Sequence, residues 1–290
     1  NMFSGSDNII LGNLAGFATD TSSQNIAIGS QAGEENRVSG NIFIGHFAGN
    51  QNTTGTSNTF LGHRAGDINL TGNDNTFFGK NTGGSNTIGS SNTMIGSGAG
   101  DVSTASDNTF IGFNAGGANT SGGANVFLGK NAGLNNTTAT QNTFLGTSTG
   151  QANSTGSSNT FVGHSTGLAN TNGFENTFMG FAAGSANATG NGNVFIGVNS
   201  GGNNSTAHNN TFIGSYSGVL NTTGTDNVFV GEHAGFSNDS GNKNTFLGRN
   251  SGTNNEAGDF NTFIGYRAGE DNVTGSANTF LGEGAGASNG

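Results

Sequence analysis

Asn58-Thr59-Phe60-Leu61-Gly62-His63-Arg64-Ala65-Gly66-Asp67-Ile68-Asn69-Leu70-Thr71-Gly72-Asn73-Asp74 is followed at once by Asn75-Thr76-Phe77-Phe78-Gly79, the same opening one period later. The opening Asn recurs at residues 8, 25, 41, 58, 75, 92, 108, 125, 142, 159, 176, 193, 210, 227, 244, 261 and 278. Every step is 17 residues except 25 to 41 and 92 to 108, which are 16. A fixed short period over a whole chain defines a repeat architecture, in which each unit contacts mainly its neighbours. Residues 1–290 therefore read as a single continuous array. The chain starts and stops part-way through a unit, so it is expected to be a segment of a longer protein without caps or an anchor domain.

With the opening Asn as position 1, position 2 is β-branched throughout: Thr in 11 units and Ile or Val in 6. Position 3 is Phe in 14 units, Ile10, Ala27 and Met94 being the exceptions, and position 4 is always large and apolar. Four residues of this kind closed by an invariant Gly at position 5 predict a short strand. Position 9 is Gly in every unit, position 8 is Ala, Ser or Thr, and position 12 is Asn in 15 units. Gly permits positive φ and close backbone approach, and Asn tolerates the left-handed region, so these residues are expected to form the corners. A helix is excluded, because two Gly in nine residues each cost about 1 kcal/mol relative to Ala and no 3.6-residue period exists. The predicted fold is an all-β parallel β-solenoid (β-roll or β-helix) of about 17 coils. Stacked at about 4.8 Å per coil it would run roughly 80 Å. Asn at positions 1 and 12 is expected to form amide ladders along the stack.

Adjacent residues on a strand face opposite ways, so positions 3 and 4 pose a choice. One row fills the core; the other becomes an outward apolar stripe unless the strand bends at position 4. An outward stripe marks an association surface, and self-association as a homo-oligomer, trimer or fibre is the expected partnership.

Composition narrows the function. There are 55 Gly, 23 Phe, no Pro, no Cys and no Trp, and the net charge is −10. Absence of Cys removes disulfides and thiolate metal sites. The negative charge argues against nucleic acid, and no apolar run is long enough for a membrane span. Collagen is excluded by the lack of a three-residue Gly period.

The motif Asn261-Thr262-Phe263-Ile264-Gly265-Tyr266-Arg267-Ala268-Gly269, with Asn52-Thr53-Thr54-Gly55, resembles Asn-Thr-Phe-Ile-Gly-Tyr-x-Ala-Gly repeats of bacterial surface proteins described as tail-fibre-like. It is also similar to the Asn-Ser-Val-Ala-Ile-Gly-x-x-Ala repeats in the β-roll heads of trimeric autotransporter adhesins. The unit here is longer and carries Phe where those heads carry a smaller residue. The resemblance implies an extracellular or cell-surface protein, assembly of several chains, and a surface glycan or host-cell ligand.

Candidate chemistry is sparse, and a non-enzymatic protein without cofactor or metal is expected. The acidic residues Asp7, Asp74, Asp107, Glu175 and Asp226 precede position 1, and Glu34, Glu35, Asp67, Asp101, Glu270 and Asp271 follow position 9. None makes a distinctive acid pair in sequence. His46, His63 and His164 share position 6, but only the first two lie in neighbouring coils, and with His208 and His233 they read as solvated surface groups. Asn-x-Ser/Thr occurs at position 12 ten times: Asn52, Asn69, Asn119, Asn136, Asn153, Asn187, Asn204, Asn221, Asn238 and Asn272. These are candidate glycan acceptors, and would then lie on exposed turns. Variable residues at positions 6, 7, 10 and 11 are expected to form the ligand face. Two other roles fit the pattern: an ice-binding solenoid using the Thr row at position 2 (Thr59, Thr76, Thr93 and Thr109, then Thr143, Thr160 and Thr177), and a tail fibre or tailspike that binds surface glycans.

Overall fold

A computed structural model describes residues 5–19 and 21–287. Two compact units are present, Asn1–Asn142 and Thr143–Gly290. The first contains β1 (Ile9–Leu11), β2 (Ile26–Ile28), β3 (Ile42–Ile44), β4 (Thr59–Leu61), β5 (Thr76–Phe78), β6 (Thr93–Ile95), β7 (Thr109–Ile111) and β8 (Val126–Leu128). The second contains β9 (Thr143–Leu145), β10 (Thr160–Val162), β11 (Thr177–Met179), β12 (Val194–Ile196), β13 (Thr211–Ile213), β14 (Val228–Val230), β15 (Thr245–Leu247), β16 (Thr262–Ile264) and β17 (Thr279–Leu281). Every strand occupies positions 2–4. Within each unit successive strands pair in parallel with equal phases opposite one another, as in Thr160 with Thr177, Phe161 with Phe178 and Val162 with Met179. Each unit is thus a parallel β-solenoid built on the expected repeat.

The core is a column of position-3 side chains. In the second unit the rings from Phe144 to Phe280 stack with centroid spacings of 4.7–5.0 Å and interplanar angles of 3–15°. Parallel in-register pairing forces this spacing, since equivalent residues of neighbouring coils sit one strand apart. In the first unit Met94 interrupts the column between Phe77 and Phe110. Each buried Phe contributes about 1.5–3 kcal/mol of apolar burial. Room for the ring comes from position 9: a Cβ on Gly184, whose φ is +58°, would lie 2.5 Å from Cε2 of Phe178.

Gly at positions 5 and 9 has positive φ as expected, as in Gly62 (141°) and Gly66 (57°), but the Asn residues of positions 1 and 12 do not make the left-handed corners. Positions 7 and 17 are left-handed as well, and they hold almost any residue: Arg64 (φ 58°), Ser165 (φ 54°), Glu175 (φ 57°) and Asp226 (φ 60°) are examples. That conformation costs an L-residue roughly 1–2 kcal/mol. Inter-coil hydrogen bonds hold it in place. The N–H of Ser165 donates to Thr147 O (3.0 Å), and that of Glu175 to Ser157 O (3.1 Å). The Asn residues at positions 1 and 12 instead point their amides into the wall of the coil.

Candidate binding faces

Three surfaces follow from this coil, and each places sequence-predicted residues differently. On the strand face Phe60 is fully buried whereas Leu61 is 38% exposed, which settles the doublet at positions 3 and 4. The strand does not bend to bury both. Positions 2 and 4 project outward together on either side of the Phe row, and no coil carries a charged residue at either position. Leu128 is exposed on this face of the first unit, and Leu145, Met179, Ile213 and Leu247 on that of the second.

The wall between corners contains the ten Asn residues read as glycan acceptors. All ten are buried, at 0–1% exposure. In the position-12 ladder Nδ2 of Asn69 donates to Asn52 Oδ1 (2.8 Å) and to Gly72 O (3.0 Å). Asn187 repeats this with Asn170 Oδ1 (2.8 Å) and Gly190 O (3.1 Å), and so does Asn272 with Asn255 Oδ1 (2.9 Å) and Gly275 O (2.8 Å). Both amide protons are committed, and an N-linked sugar would replace one of them inside a packed wall. The exposed-turn placement that a glycan requires is therefore not what this fold provides. Asn289, the last position-12 residue, lies outside the described residues.

Position 1 forms a second ladder: Asn176 Oδ1 accepts from the Asn193 N–H (3.0 Å), while Asn176 Nδ2 donates to Gly190 O (2.8 Å). These amides satisfy buried backbone groups that no strand ladder reaches, as a dry interior demands.

The loop face carries positions 6, 7, 10 and 11. In the first unit the His46 and His63 rings lie 5.4 Å apart, and Arg64 sits over the Phe47 ring at 5.6 Å. Arg64 Nε also donates to Asp67 Oδ2 (3.0 Å). Burial pushes the Asp67 carboxyl above the ordinary carboxylate value, against the opposing pull of Arg64. Asp101 is raised likewise by burial. Among the described residues no three His, Asp or Glu side chains gather as a metal site. In the second unit Tyr216 stacks on His233 at 5.5 Å, and Glu232 Oε2 accepts from Arg249 Nε (3.0 Å). His164 stacks on Phe181 at 5.5 Å. The acidic residues before position 1 sit at left-handed corners of separate coils, Asp7, Asp74 and Asp107 in the first unit and Glu175 and Asp226 in the second.

Phe236 and the carboxylates of Asp239 and Glu256 also belong to this surface, and sequence reading passed over them. The available signal was acidity at position 13, where the neighbouring coils carry Ser205, Thr222 and Val273. No family model, no curated protein and no solved structure matches the chain.

Proposed function

We propose that this chain is a structural segment of an extracellular fibre or adhesin, in which a β-solenoid presents regularly spaced side chains and associates with further copies of itself. The observation that carries this reading is the strand face, two outward rows without a single charge. Soluble proteins rarely leave so continuous a β-branched and apolar surface uncovered. Only a partner with the same coil pitch matches such rows over many coils, and a second copy has that pitch. The repeat motif, similar to those of bacterial surface proteins, supports display outside the cell.

Sedimentation velocity tests the association: a concentration-dependent oligomer is expected, and Val230→Glu combined with Leu247→Glu should return it to monomer. A folded, unmodified monomer at all concentrations would remove self-association from the reading. Mild proteolysis of intact source cells, followed by mass spectrometry, tests display; no released peptides from an expressed protein would contradict it.

Ice binding is a second reading, favoured by the outward direction of the position-2 Thr side chains. Val194 and Val228 break that row, and the row beside it is bulky and uneven, so the fibre reading is preferred. Thermal hysteresis of the folded protein decides between them.

A further inference from the structure

We infer that the face spanning β13 to β15 binds a neutral pyranose glycan, on a platform of aromatic rings bordered by a carboxylate-lined groove. Three observations converge there.

The first is the platform. Tyr216 and His233, one coil apart, stack at 5.5 Å with an interplanar angle of 14°, and Phe236 adds a third ring 5.4 Å from His233. Tyr216 is 37% exposed, so part of its side chain meets solvent. Both Tyr216 and His233 occupy position 7 with φ of 57°. Ser148, Ser165, Ala182, Asn199, Asn250 and Arg267 hold the same corner elsewhere in this unit, none of them aromatic. The left-handed backbone here is common to every coil, so only the ring side chains set this stretch apart. Neither ring fills the core, which the Phe column already occupies.

The second is an exposed ion pair beside the rings. Glu232 lies next to His233 in the chain, and its Oε2 accepts from Arg249 Nε at 3.0 Å. The guanidinium retains further donors, and the carboxylate retains acceptor capacity.

The third is a groove of about 470 Å³ whose lining includes Ser237, the residue after Phe236 in the chain. Leu220, Thr222, Ser237, Asp239, Ser240 and Glu256 line it. This volume lies within the range of small-ligand sites.

A pyranose ring matches this arrangement in both halves. Its axial C–H groups form an apolar face that stacks on an aromatic ring, and its hydroxyls both donate and accept. Thr222 Oγ1 already donates to Asp239 Oδ1, which leaves the other lone pairs of Asp239 and those of Glu256 to accept from sugar hydroxyls, while Arg249 donates and the Ser237 and Ser240 hydroxyls do either. A glycan that is itself anionic is disfavoured by those two carboxylates and by the net charge of −10. A basic peptide would satisfy the carboxylates but leaves the ring stack and the hydroxyl lining unexplained. Why a glycan is met at all rests on the surface-fibre reading above. Binding in solution does not, so the two fail separately.

The chain has only two Tyr and no Trp, so in a Tyr266→Phe background the emission of Tyr216 reports on the platform alone. Cellohexaose, maltohexaose and a β-1,4-linked galactohexaose are titrated against this protein, with hexalysine as the competing class. At least one neutral hexasaccharide should give a saturable change at millimolar or tighter concentration. His233→Asn, Asp239→Asn and Arg249→Ala should each weaken it about tenfold or more, a loss of one good polar or stacking contact. Position 7 accepts Asn natively and the other two side chains are exposed, so the thermal midpoint should not move. Absence of saturation with all three sugars overturns the inference. So does binding indifferent to the three substitutions, or saturation by hexalysine alone.

Discussion

Replacing Asn187 by Ala removes one amide from the middle of the position-12 ladder. The side chain is fully buried, and three hydrogen bonds go with it. Nδ2 donates to Asn170 Oδ1 (2.8 Å) and Gly190 O (3.1 Å), and Oδ1 accepts from Asn204 Nδ2 (2.8 Å). Each neutral bond contributes about 1 kcal/mol, and partners stranded in a dry wall lose more, so the total is roughly 3–5 kcal/mol. Because coils contact mainly their neighbours, the loss should be local. Native-state hydrogen exchange reads it directly. The amides of Ala188 and Asn204, bonded to Ser205 O and Gly201 O, should lose about 100-fold or more of their protection, since each 1.4 kcal/mol is a factor of ten. Those of β9 should be unchanged. Asn187→Ser should be milder, because Ser103 holds the same phase and its Oγ accepts from Asn119 Nδ2 (3.0 Å). Asn187→Asp sharpens the test. Its carboxylate would face two oxygen acceptors while buried, so its folded-state pKa must rise above the unfolded value of about 3.9. The destabilisation then grows as pH climbs through that value and is complete above the folded pKa; in acid it fades. An Ala variant that loses less than about 1 kcal/mol, or an Asp variant indifferent to pH between acid and neutral, would refute the buried-ladder account.

Gly184→Ala should be severely destabilising, by about 2 kcal/mol or more, because the new Cβ meets both a left-handed φ and the Phe178 ring; chemical denaturation measures it, and a neutral effect would mean the ring column can shift. Asp101→Asn should stabilise at neutral pH. Burial raises the Asp101 pKa above its ordinary value, so ionisation opposes folding above that value and the gain over wild type disappears as pH falls below it. Paired melts in acid and at neutral pH check the sign. Finally, residues 1–290 expressed alone and secreted from a glycosylating host should have the 28.8 kDa of the bare chain, with no N-linked sugar at Asn52 or its nine equivalents. A glycan found on folded protein would require those amides to leave the wall.

The period, a short strand ending at the position-5 Gly and the apolar doublet that supplies the core were legible along the chain, although the strand is one residue shorter than the pattern suggests. Phe at one phase and Gly two corners later are local chemical facts repeated often enough to leave one solution: stacked coils in register. The direction of the position-4 side chain was left open by alternation alone, because a bend there would have turned it inward. Only the path of the backbone after Leu61 put it outside. Asn187 shows the deeper limit. As sequence, Asn187-Ala188-Thr189 is a glycan acceptor on a turn, whereas in the fold its partners are Asn170 and Asn204, one coil away on either side. The left-handed corners at Arg64 and Glu175 were likewise invisible, because what holds them is a hydrogen bond to a carbonyl of the preceding coil rather than any residue preference. The same is true of the groove between Thr222, Asp239 and Glu256, whose walls are one and two repeats apart. Periodicity specifies which residues are equivalent; the tertiary path decides which way equivalent residues face and which of them meet.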